Sequence, residues 1–157
     1  MESSQAIPFV DAHAVTVHAP PAATWDALLD VVSASFDRSP VSLVARMLGC
    51  QDTHGNGSDL SVLGATAPGF RVAGADPQSR LELVGRHRFS HYKLVFVLEA
   101  LDGPGCRVRA ETWAAFPGGA GRLYRAFVIG SGGHVIVVRS MLAGVRRRAS
   151  TNRLAHG

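Results

Sequence analysis

Cysteine is scarce in this chain. Cys50 and Cys106 are the only two, far apart, with no Cys-x-x-Cys pair and no Cys/His tandem. That spacing gives no basis for a zinc site or a disulfide framework, so no metal is expected. Lysine is scarcer still: Lys93 stands alone, and the formal net charge of +4 is carried almost entirely by arginine. The opening residues Met1–Val10 lack a basic stretch followed by an apolar one, so no export signal is read and a reducing cytoplasm is the default expectation. A long uninterrupted hydrophobic run is missing too. The longest apolar stretch, Leu123–Val145, is broken by Arg125, His134 and Arg139, which argues against a membrane span.

What the chain does have is an ordinary globular balance. Hydrophobic residues make up 46% and charged residues 18% of 157 positions, enough for one domain with a real core. The expected layout is a lead-in over 1–10, one domain over 11–149 and a tail over 150–157. Basic charge clusters only at Arg146, Arg147 and Arg148, where it also offsets the negative end of a helix dipole. Nucleic acid is therefore a disfavoured partner, and the chain is expected to be a monomer or homodimer.

Strand and helix signals follow one another in a clear order. Asp11–His18 alternates, with His13, Val15 and Val17 on one face. Pro20-Pro21 ends that strand and opens a helix whose stripe is Trp25, Leu28, Leu29 and Val32. Ser39-Pro40 announces a second helix, ending at Gly49. A polar loop over Cys50–Asp59 follows, and Leu60–Pro68 has room for a short strand. Phe70–Ala75, Arg80–Phe89, Tyr92–Leu101 and Cys106–Phe116 read as strands of an antiparallel meander, with Phe89-Ser90-His91 and Asp102-Gly103-Pro104-Gly105 as tight turns. Last comes Gly121–Arg148, predicted to be one long helix with Leu123, Phe127, His134, Val138, Met141 and Val145 near one stripe. Gly130-Ser131-Gly132-Gly133 is its weak point, a kink or an interruption.

This order resembles the helix-grip fold of the SRPBCC (START-like) superfamily. Val17-His18-Ala19-Pro20-Pro21-Ala22-Ala23-Thr24-Trp25 is similar to that superfamily's strand-to-helix opening. Glu111-Thr112, Gly121-Arg122-Leu123-Tyr124 and His134 are similar to the closing segment of an uncharacterised bacterial branch, in which a Pro-Phe pair often precedes the His; here Gly132-Gly133 stands there. The resemblance spans residues 11–148. It implies an α+β fold: a curved antiparallel sheet wrapped around a long C-terminal helix, with two short helices after the first strand. It also implies a cavity between sheet and helix, used in different relatives for lipids, sterols, polyketides or hormones. Some relatives are cyclases or aromatases and many only bind.

Candidate site residues follow from the faces. His134 sits on the apolar stripe at the glycine-rich point, where imidazole could bind a ligand carbonyl or move a proton; it could equally be a buried histidine bonded to backbone. Tyr92 and Tyr124 could orient a ligand with their hydroxyls or simply pack. Arg107, Arg109, Glu111 and Trp113 share one strand face. If that face lines the cavity, Arg109 could hold a carboxylate or enolate; otherwise the charges form a solvent-side ladder. Phe127 and Val138 complete the expected ligand set. His13 and His18 have opposite parity and cannot co-ligate from one strand. Gly130–Gly133 lacks the spacing and strand context of a dinucleotide loop, and no Gly-x-Ser-x-Gly is present. The favoured reading is binding of a small lipophilic molecule with no cofactor and no required catalysis. The alternative is a cyclase, dehydratase or isomerase acting on a polyketide- or lipid-like substrate, with His134 as acid–base group.

Overall fold

The structure is a computed structural model that describes residues 6–38, 60–61, 63–67, 70–87 and 90–155. It contains strands β1 (Phe9–Val17), β2 (Thr66–Ala67), β3 (Phe70–Asp76), β4 (Arg80–His87), β5 (Ser90–Ala100) and β6 (Cys106–Ala115). Helix α1 (Pro21–Arg38) follows β1, and α2 (Gly118–Val128) and α3 (Gly133–Ala155) close the chain. The strands form one antiparallel sheet in the order β1-β6-β5-β4-β3-β2. Consecutive strands from β2 to β6 are neighbours, as the short connections require. The first strand returns beside the last.

Strand alternation decides which side chains meet the helices. Val17, Cys106, Leu98 and Leu81 point one way, with Val15, Val108, Phe96 and Leu83, and these side chains make up the core with α1 and α3. Phe96, Leu81, Leu83, Val17, Val72 and Val108 are fully buried from the sheet, Leu28 and Val32 from α1, and Val145 from α3. Each such side chain contributes about 1.5–3 kcal/mol by leaving water. Thr24 is the buried polar link between layers: its hydroxyl donates to Ala19 O at 3.4 Å and accepts from Cys106 Sγ at 3.2 Å.

The helix stripe expected on α1 is real, with Trp25, Leu28 and Val32 buried and Asp26 and Asp30 exposed. One 18-residue helix stands after β1. The second short helix, expected over Ser39–Gly49, and the loop over Cys50–Asp59 lie outside the described residues. Ser90 and His91, expected in the turn after β4, instead pair with His87 and Arg86 as part of β5.

Of the two forms expected for the closing segment, a kink or an interruption, the structure has the interruption: two helices separated at residues 129–132. Ile129 N and Gly130 N both donate to Arg125 O, at 2.8 and 3.3 Å, and Gly132 turns left-handed with φ of 72°. A side chain at Gly130 would strike the Ala126 carbonyl. The glycines thus permit a full break, after which α3 starts afresh and runs on to Ala155, into the expected C-terminal tail. The break also splits the stripe: Val138, Met141 and Val145 are buried, whereas Leu123 and Phe127 are exposed.

Helix α3 lies close on α1 at Gly144, where an added Cβ would sit 3.3 Å from Val31 Cγ1. Gly144→Leu is therefore expected to destabilise by about 1–3 kcal/mol through overpacking, and Leu83→Ala by about 2–5 kcal/mol through cavity formation. Gly119→Ala, with open space around it, should leave the urea midpoint unchanged or slightly raised. Equal midpoints for all three variants would contradict this packing.

Candidate functional site at the open end of the sheet

The end of the sheet next to α2 differs from the packed middle. Here β1 begins, β5 begins and β6 ends, so Asp11, Tyr92, Thr112 and Ala114 come together on the inner face. A register shift between Phe9 and Asp11 places these two residues opposite Trp113 and Thr112. That extra residue, Val10, is a bulge, and it turns Phe9 outward while Asp11 turns inward. A carboxylate thus enters an apolar face.

The carboxylate is met from two sides. His134 Nε2, in the first turn of α3, donates to Asp11 Oδ2 at 2.7 Å. His13 Nε2 donates to the same oxygen at 3.2 Å. The His134 side chain is only 13% exposed and that of Asp11 24%, so the contact is largely sheltered. Burial works to raise the Asp11 pKa. The His134 hydrogen bond, the Thr112 hydroxyl, the charge interaction with His134 and the His13 hydrogen bond outweigh it and hold the carboxyl below its ordinary value. Thr112 acts as a nearby dipole, since its buried Oγ1 has no well-formed hydrogen bond. His134 is set in place by the preceding break, where Ser131 Oγ accepts from Gly133 N at 3.3 Å.

Three buried polar atoms gather here without a hydrogen-bond partner: Asp11 Oδ1, Thr112 Oγ1 and His134 Nδ1. Buried polar groups are nearly always satisfied, so such a group calls for an explanation. Aromatic pairs flank it. Tyr92 meets Phe70 edge-on with ring centroids 4.8 Å apart, and Tyr124 of α2 leans on Phe116 at 6.1 Å. With Asp11 fixing Nε2 as a donor, neutral His134 presents a lone pair at Nδ1, and protonated His134 presents an N–H.

The sequence candidates divide sharply. His134, Tyr92 and Tyr124 belong to this end of the molecule. Val138 is 5% exposed and packs in the core. Arg109 and Trp113 must be withdrawn from any sheet–helix cavity, because their parity puts them on the opposite face. There Arg109 pairs with Glu111 at 3.1 Å and Glu99 at 3.6 Å. Trp113 lies between Phe9, at 5.1 Å, and the Lys93 ammonium, 5.0 Å from its ring centre. Phe127 is 76% exposed on α2 and lines no interior. An open cleft of about 300 Å³ adjoins this site through His13 and runs along β1, between His13, Val15 and the Arg139, Leu142 and Arg146 side of α3.

Solved structures share this architecture at low identity. The aromatase/cyclase Zhui from a Streptomyces species superposes with a TM-score of 0.57 at 16% identity, covering 97% of this chain and 99% of its own. A Thermobifida fusca protein gives 0.54 at 19%, covering 88% and 92%, and a Rhizobium loti protein 0.54 at 15%, covering 92% and 99%. These likenesses show the fold: a helix grip, with an antiparallel sheet packed against a long C-terminal helix. No family model matches the chain, and no curated protein matches it. Within this helix grip, no group of three or more metal-ligating side chains is arranged to hold an ion among the described residues. No described helix is long and apolar enough to cross a membrane.

Sequence reasoning missed Asp11. Its signal was present: Asp11 has the parity of His13, Val15 and Val17, which makes it an acid on the core-facing side of a strand. Since the carboxyl is held below its ordinary pKa, its stabilising effect is complete above the unfolded-state value of about 3.9 and is lost as pH falls from there through the folded-state value. Asp11→Asn should cost about 1–2 kcal/mol at neutral pH, and the gap between parent and variant should close in acid. A gap that stays constant in urea unfolding from neutral pH to below the carboxylate range would contradict this electrostatic role.

Proposed function

We propose that this helix-grip protein binds a small lipophilic molecule bearing one polar group, at the α2 end of the sheet between the inner face and the C-terminal helices. Binding needs no catalysis. The observation that carries the reading is the trio of buried, unpartnered polar atoms on Asp11, Thr112 and His134, set beside the Phe70–Tyr92 and Phe116–Tyr124 pairs. A mostly apolar wall with a few convergent polar groups is the usual make-up of a small-molecule site. The ligand's polar group would satisfy His134 Nδ1 or Thr112 Oγ1, and its apolar body would lie against the aromatic rings. The core beneath α1 and the middle of α3 is made of closely packed apolar side chains, which supports reading the ligand site at this end.

A second reading is favoured by the Asp11–His134 bond. A carboxylate behind an imidazole fixes the ring's orientation and which nitrogen donates, as general acid–base catalysis requires. His134 would then move a proton in a cyclisation, dehydration or isomerisation of a polyketide- or lipid-like substrate, and Tyr92 or Tyr124 would stabilise an oxyanion. Arg109 has no part in it.

The probe 2-naphthol, an apolar ring system with one hydroxyl, distinguishes the site from the outer face. His134→Ala should weaken its binding about tenfold, the loss of one well-placed hydrogen bond to a sheltered group. Arg109→Ala should leave it unchanged. Amide shifts on titration should fall on Asp11, Tyr92, Thr112 and residues 133–135. Loss of binding in Arg109→Ala with none in His134→Ala would overturn the assignment.

A further inference from the structure

The distribution of charge is more telling than its total. Residues 1–111 hold nine basic and all twelve acidic residues, a net of −3. Residues 112–157 hold seven arginines and no acid, a net of +7. The basic stretch comprises the end of β6 and both closing helices. At its start the chain also exposes large apolar side chains: Leu123 is 75% and Phe127 76% exposed on α2, and Ile136 70% and Val137 42% exposed in the first turn of α3. Helix α2 turns Gly121 and Tyr124 inward and leaves Leu123 and Phe127, four residues apart, on its outer side. Arg122, Arg125 and Arg139 are exposed on the same two helices.

We propose that α2 and the first turn of α3 form a docking surface for an anionic lipid bilayer. Leu123, Phe127, Ile136 and Val137 would enter the boundary between headgroups and acyl chains. The arginines would meet lipid phosphates, with their aliphatic stems along the apolar layer. A second copy of this chain is a poor occupant, because a two-fold contact would set one arginine-rich pair of helices against another. Nucleic acid would attract the arginines but leave Leu123, Ile136 and Val137 unburied. The inference is independent of the ligand reading, since neither His134 nor Asp11 takes part.

Vesicle co-sedimentation tests it, using phosphatidylcholine alone and an equal mixture with phosphatidylglycerol. The protein should sediment with the mixed vesicles, not with phosphatidylcholine alone, and be released by high salt. Leu123→Ser combined with Phe127→Ser should weaken binding at least about tenfold while the circular dichroism spectrum stays that of the parent. Arg122→Gln with Arg125→Gln should reduce both the affinity and its salt dependence. The proposal is overturned if the parent sediments with neither vesicle, or if the apolar variant binds like the parent. It is also overturned if sedimentation velocity shows a parent dimer that the apolar variant dissociates, or if the parent binds duplex DNA through these residues in preference to the vesicles.

Discussion

One polar contact ties the two ends of this fold together. His134 and Asp11 stand 123 residues apart in the chain and meet at 2.7 Å. Two local irregularities make the meeting possible. The bulge at Val10 turns Asp11 toward the helices, and the left-handed backbone at Gly132 lets α3 start afresh, with His134 in its first turn. Helix α2 exposes Leu123 and Phe127, so its own apolar stripe does not hold it to the sheet. A charged hydrogen bond in a sheltered place is a strong anchor for such a junction, and losing one partner leaves the other poorly solvated.

Most of the architecture was legible because strands and helices write their periods into the chain. The five longer strands, the α1 stripe and the meander order all follow from alternation, turn residues and proline placement. What alternation does not tell is which of two faces meets the helices. For β6 the apolar Trp113 blurred the choice, because a tryptophan suggests burial. It is in fact covered from outside, by Phe9 and by Lys93. Leu123 and Phe127 were misread for a different reason: their stripe was extended through a glycine break that ends one helix before the next begins. Asp11 went unnoticed because a carboxylate on a core face is rare, and only a partner distant in sequence makes it tolerable.

The structure divides the molecule's chemistry by region. Its middle is a close-packed layer of Val, Leu and Phe against α1 and α3, suited to holding a shape. Its outer sheet face carries salt-bridged ladders around Glu82, Glu99, Arg109 and Glu111, of the solvent-exposed sort that contribute little each. Among the described residues, only the α2 end combines sheltered polar groups, aromatic pairs and an interruption in the helix. The low identity to the solved helix-grip structures carries the fold and leaves the chemistry to these residues.

The Asp11–His134 pair is the centre of the account, and a double-mutant cycle tests it most directly. Asp11→Asn, His134→Gln and the double variant would be unfolded in urea near neutral pH alongside the parent. The account predicts a coupling of about 1–2 kcal/mol, with the second substitution costing little once the first is made. Strictly additive effects would show that the two side chains stabilise the fold independently, and would contradict the account.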